Sequence, residues 1–176
     1  MGAIVALAMA RAAPDRIEGL CLVGINASDD LPDRAQARLL HQQMAREGRL
    51  DEILRDIFIP NYFSAEKVHD TALQQLCIDM AATIGAETFR CQSEALRTRP
   101  DGRPGLAAIA CPTLVIGGDE DKICPPDWHR ETAAAIPGAT LEIMPGGHMA
   151  LIERPDDMAV RIGRWLAGRK GETVHG

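Results

Sequence analysis

A chain of 176 residues, 46% hydrophobic and 25% charged, is long enough for one domain with its own core. Its net charge of −6 argues against a phosphate backbone as partner, and an aromatic content of 3% leaves no base-stacking surface. The five cysteines (21, 77, 91, 111 and 124) are odd in number and form no CxxC pair, and no apolar run reaches the roughly 20 residues of a membrane span. These features predict a cytoplasmic protein with reduced thiols that binds neither nucleic acid nor membrane.

The chain opens on MGAIVALAMARA, an apolar helix at 3–12 with no polar lead-in. It has neither the basic n-region nor the uninterrupted h-region of a signal peptide, because Arg11 breaks it. RIEGLCLVG (16–24) reads as a strand, apolar on both faces at its centre. Segment 31–98 then changes character. DRAQARLLHQQMAREG, LDEILRDIFI, AEKVHDTALQQLCIDMAATIG and AETFRCQSEALR each carry helical periodicity, so about four helices are expected. Val68, Ala72, Leu76 and Met80 form a stripe on the third, and Ser64 stands where its N-cap should be.

RPDGRPG (99–105) brings the chain back through a Pro/Gly loop to a second strand, PTLVIGG (112–118). A helix over 127–136, a third strand in ATLEIMPG (139–146) and a helix over 156–167 between Pro155 and Gly168 complete the order. Short strands apolar on both faces, separated by helices, predict an α/β fold with parallel strands covered on both sides. The expected division is a core of 1–30 and 99–168, a helical insertion over 31–98 and a flexible tail over 169–176.

Two strand ends carry chemistry. Gly117-Gly118 delivers Asp119, Glu120 and Asp121 at the carboxyl edge of the second strand, where open parallel sheets bind ligands. Pro145-Gly146-Gly147 delivers His148 after the third, 27 residues beyond Asp121. A carboxylate on one ring nitrogen fixes the tautomer and leaves the other as a base. Alone, the acids read as a solvated loop or a cap and the histidine as a surface residue; together on consecutive strand ends they outweigh both. His129 and Asp127, at a helix start, are explained by capping and solvation. No metal-ligand spacing and no G-x-G-x-x-G appears.

The run P-T-L-V-I-G-G-D-E-D-x-I-x-P-P, followed by I-P-G-A-T-L-E-I-M-P-G-G-H-M-A-L-I-E-R-P, resembles the C-terminal half of α/β-hydrolase-fold enzymes, and the resemblance covers nearly the whole chain. It implies a catalytic acid at Asp121, rather than Asp119 or Glu120, and a catalytic histidine at His148. It also places Met1 and Gly2 at the last positions of the G-x-S-x-G elbow, so the nucleophilic serine belongs immediately ahead of Met1 and the Met1 amide in the oxyanion hole. Ser28, Ser64 and Ser93 lie in no such elbow, and Cys124 reads as structural.

The implied activity is cofactor-free hydrolysis of a small carboxylic ester or lactone through an acyl-enzyme, with 31–98 as lid. The same fold also hosts C–C bond hydrolases, dehalogenases and haloperoxidases. Met44, Ile53, Leu54, Phe58, Tyr62 and Phe63 are the candidate pocket lining, with lid-to-core packing the plainer alternative for each. The competing expectation is that these 176 residues alone are an inactive fragment or binding module, self-associating through a bare strand edge at 16–24.

Overall fold

The computed structural model describes residues 1–172, with side chains described through 168. In chain order the elements are α1 (Gly2–Ala12), β1 (Leu20–Val23), α2 (Pro32–Arg46), α3 (Leu50–Glu52), α4 (Ile59–Tyr62), α5 (Thr71–Arg97), β2 (Thr113–Gly118), α6 (Pro126–Ala135), β3 (Thr140–Met144), α7 (Ala150–Glu153) and α8 (Pro155–Glu172). The three strands form one parallel sheet in the order β1-β2-β3, with Leu22 opposite Val115 and Val115 opposite Leu141.

The alternation along β2 shows why the sheet needs two covers. Val115 faces a cluster with Leu7 of α1, Leu20, Leu22 and Ile136, while Leu114 and Ile116 face Met144, Ala150 and Met158 of α8. All six residues of β2 are buried, so the strand reads as a continuous apolar run. Each fully buried aliphatic side chain contributes about 1.5–3 kcal/mol of transfer free energy. Among the described residues no helix is long and apolar enough to cross a membrane.

The helical segment departs from expectation in three places. Residues 65–69 form turns, and α5 starts at Thr71, because Asp70 caps it by accepting from the Ala72 and Leu73 amides at 3.1 and 3.2 Å. Ser64, the expected cap, is buried and bonded elsewhere. Consequently Val68 lies off the helix, Leu76 and Met80 are exposed, and the inward residues are Leu73 and Cys77. The last two expected helices run together as α5 with a kink at Gly85, whose φ of +79° suits glycine. LDEILRDIFI begins a continuous run, in which a π-helical stretch Ile53–Phe58 joins α3 to α4.

At the other end, α8 continues through Gly168 to Glu172 rather than stopping before it. An interior glycine costs only about 1 kcal/mol relative to alanine and need not end a helix. The expected tail is thus helical over 169–172, and 173–176 lie outside the described residues.

Candidate active site

The loops after β2 and β3 are tied together residue by residue. The Asp119 amide donates to Met144 O at 2.9 Å and its carboxylate accepts from the Gly146 amide at 3.0 Å. Glu120 donates from its amide to Gly146 O, and its carboxylate accepts from the Ala65 amide at 2.8 Å. Asp121 alone turns inward: its side chain is 0% exposed. Its Oδ1 accepts from the Ile123 and Cys124 amides at 2.8 and 2.7 Å, and Oδ2 lies 2.9 Å from His148 Nδ1. Three adjacent acids therefore have three jobs, and only one meets the histidine. An ionised carboxylate can only accept, so Nδ1 carries a proton and Nε2 keeps its lone pair.

His148 is held from several sides. Gly24, at the end of β1, has φ +61°, and a Cβ there would stand 3.0 Å from His148 Cε1. Tyr62 stacks on the imidazole with centroids 6.4 Å apart and planes 27° apart. Burial pushes the Tyr62 phenol up to about 12, so it stays protonated. The Tyr62 carbonyl accepts from the Met149 amide at 3.0 Å and would lie 2.5 Å from any Cβ on Gly147.

Glu153, which the sequence offers only as a metal ligand without a recognised spacing, ties these pieces together. Buried in α7, it accepts from the Gly147 amide at 2.9 Å, the Ser64 amide at 3.3 Å and the Ser64 hydroxyl. Glu153→Ala strands buried donors at about 1–3 kcal/mol each. The expected result is a melting temperature lower by on the order of 5–15 °C, partly restored in Glu153→Gln, which keeps one acceptor oxygen. Thermal denaturation followed by circular dichroism checks this.

His129 is not the capping or solvated residue expected. It is fully buried; Nε2 accepts from the Ile25 amide at 3.1 Å and Nδ1 donates to Pro125 O at 3.2 Å. A Cβ on Gly117 would meet its ring at 2.6 Å, so the Gly-Gly end of β2 makes room for it. Burial holds its pKa below the usual 6.5. As pH falls through that value the unfolded chain takes up a proton that the folded one refuses, so stability is lost on acidification below 6.5 and unaffected above it. Thermal melts between pH 7.5 and 5 should fall more steeply for the wild type than for His129→Gln.

Where the sheet edge meets the helical layer lies a cavity of about 370 Å³ lined by Met1, Gly24, Phe58, Tyr62, Cys124 and His148, among others. Of the expected lining, Leu54, Phe58 and Tyr62 face it. Met44 and Phe63 do not: Met44 packs with Ala45 and Ile53 behind Phe58 and Phe89, and Phe63, fully buried, packs with Leu54, Ile59 and Cys77. Ile53 is buried with Met44. In each case the side chain fills the layer beneath the pocket wall.

None of the three serines is bonded to His148 among the described residues: Ser28 pairs with Asn26, Ser64 with Glu153 and Ser93 with Gln42. Cys124 Sγ, Asp121 and His148 bring their ligand atoms within 4.8 Å of one another. Burial, then Asp121, pushes that thiol up to about 12, and both Asp121 oxygens are already committed. The trio therefore suits neither a thiolate nucleophile nor a metal.

The sequence that places this carboxylate–imidazole pair on consecutive strand ends also matches a known family profile. The description "Alpha/beta hydrolase family" covers residues 1–161. The chain belongs to the alpha/beta hydrolase family. Among curated proteins it is similar to the 2-hydroxy-6-oxononadienedioate/2-hydroxy-6-oxononatrienedioate hydrolase of Paraburkholderia xenovorans, 30% identical over 95% of this chain and 60% of that protein. Among solved structures it resembles a thermophilic esterase from Thermogutta terrifontis, with a TM-score of 0.89, 28% identity and coverage of 95% of this chain and 62% of that one. The enol-lactonase of Burkholderia xenovorans is similar at a TM-score of 0.85 and 27% identity, over 95% of this chain and 63% of that one. This alpha/beta hydrolase chain thus spans about three-fifths of each.

Proposed function

We propose that the whole protein hydrolyses a carboxylic ester or lactone through an acyl-enzyme, in the cytoplasm and without a cofactor. The observation that carries this reading is the 2.9 Å contact between His148 Nδ1 and an Asp121 whose other oxygen is held by two amides. The pair offers a base whose tautomer and orientation are set in advance. Solved structures named as an esterase and an enol-lactonase support this class, while a relative named as a non-heme bromoperoxidase carries another chemistry of the same fold.

In this reading a serine ahead of Met1 attacks the acyl carbon while His148 Nε2 takes its proton. Asp121 stabilises the imidazolium, and the Met1 amide, in the continuous chain, donates to the tetrahedral oxyanion. Collapse breaks the C–O bond; His148 returns the proton to the leaving alcohol, and water repeats the sequence in reverse to free the acid. Segment 31–98 serves as the lid. Turnover of p-nitrophenyl esters by the serine-bearing protein, lost in His148→Ala and absent from the 176 residues alone, tests it. Undiminished turnover in His148→Ala contradicts it.

A further inference from the structure

One side of the cavity is cationic. Arg34 and Arg38, one turn apart on α2, line it together with Arg99 and Asp30. Asp30, whose side chain is 2% exposed, accepts from Arg38 Nε at 2.7 Å and from Arg99 Nη1 at 3.0 Å. Arg99 also donates to the carbonyls of Ser28, Asp29 and Leu96. Arg34 has no carboxylate partner among the described residues: its Nη1 donates to Ile123 O at 2.7 Å, and its guanidinium lies 5.1 Å over the Trp128 ring. Two guanidiniums thus share one carboxylate and the third, Arg34, has none. The other inward acid, Asp121, is committed to His148 and two amides.

The surplus charge reaches its neighbours. Arg38 adds to the burial that lowers the His41 pKa, and Arg34 and Arg99 pull against the burial that raises Cys124. The same cavity is also lined by Leu54, Phe58, Ile84 and Phe89, none of which carries a counter-charge. A guanidinium left short of a counter-charge beside an apolar cavity is costly unless an anion completes it. Its planar fork fits a carboxylate through paired N–H donors.

We infer that Arg34 and Arg38 bind a carboxylate of the substrate, so that this site takes an anionic ester, such as the half-ester of a short dicarboxylic acid, in preference to a neutral one. The inference rests on the hydrolase reading of His148 and Asp121 for the ester, but the carboxylate site stands on Arg34 and Arg38 alone. Hydrolysis then adds water across the ester C–O bond while the second carboxylate stays on the guanidiniums unchanged.

Because Arg34 lies on Trp128, occupancy is read by tryptophan fluorescence without any turnover. The protein is titrated with monomethyl glutarate and, separately, with dimethyl glutarate. The expected result is saturable binding of the half-ester at least about tenfold tighter than the diester. Arg34→Gln and Arg38→Gln should each weaken half-ester binding by on the order of ten- to a hundredfold, the loss of a charge-assisted hydrogen bond, and Arg34→Lys by less. Arg55→Gln, which removes an exposed pair with Asp51, should change nothing.

Circular dichroism confirms that each variant is folded; if Arg34→Gln is not, Arg34→Lys, Arg38→Gln and the half-ester preference of the wild type decide. Equal affinity for the two esters, no saturable binding of either, or wild-type affinity in the folded arginine variants overturns the inference. Arginine-dependent binding of the half-ester by a protein that hydrolyses no ester would instead sink the hydrolase reading and leave the carboxylate site standing.

Discussion

Replacing His148 with alanine is expected to lower kcat for an ester by on the order of 10⁴- to 10⁶-fold in the serine-bearing protein, with KM changed little. The size follows from the geometry. The Asp121 contact at Nδ1 leaves Nε2 of His148, a residue lining the cavity, to act as the base, and a serine hydroxyl near neutral pH is a poor nucleophile without one. No neighbour can substitute: His129 spends both ring nitrogens on the backbone, and the Tyr62 phenol stays protonated. The imidazole is partly exposed, so its removal disturbs packing less than activity. Initial-rate kinetics with a melting curve for each protein separate the two effects.

Asp121→Asn is expected to cost about 10³- to 10⁴-fold in kcat while leaving the fold close to intact. The reason lies on the far side of the carboxylate. The Ile123 and Cys124 amides both donate to Oδ1, so an asparagine there must turn its carbonyl oxygen toward them. Its NH₂ then points at His148 Nδ1, which can receive it only by giving up its proton. The ring proton moves to Nε2, and the lone pair that would take the serine proton is gone. Steady-state kcat on a p-nitrophenyl ester measures the loss. A variant within tenfold of the wild type would show that Asp121 does not set the tautomer.

Much of this arrangement is legible in the residue order. Strands apolar on both faces announce a parallel sheet, and the Gly/Pro loops after β2 and β3 mark where its ends carry function. Asp121 and His148 meet as their positions on consecutive strand ends suggest. Other features depend on contacts across the fold. Gly24 looks like an ordinary strand terminus until His148 is placed against it. Glu153 sits in an unremarkable helical stretch, yet it bridges Ser64 and Gly147 across 89 and 6 residues. The same bond takes the Ser64 side chain away from helix capping.

The pocket lining was only partly readable for a related reason. Periodicity tells which residues leave the solvent, and it cannot tell a layer facing a cavity from the layer beneath. Phe58 and Met44 pack in one cluster, yet only Phe58 reaches the cavity. The cationic wall was invisible because Arg34, Arg38, Asp30 and Arg99 are scattered along a polar stretch and converge only when α2 and the end of α5 close over the loop after β1.

The central claim is that His148 and Asp121 activate a serine ahead of Met1 in the continuous chain. Its most direct test is mass-spectrometric mapping of the residue labelled when the whole protein is treated with a fluorophosphonate. The account predicts a single adduct on the serine immediately preceding Met1, with labelling at least about a hundredfold slower in His148→Ala. An adduct on Ser28, Ser64 or Ser93, no adduct at all, or labelling that proceeds as fast without His148 would contradict it.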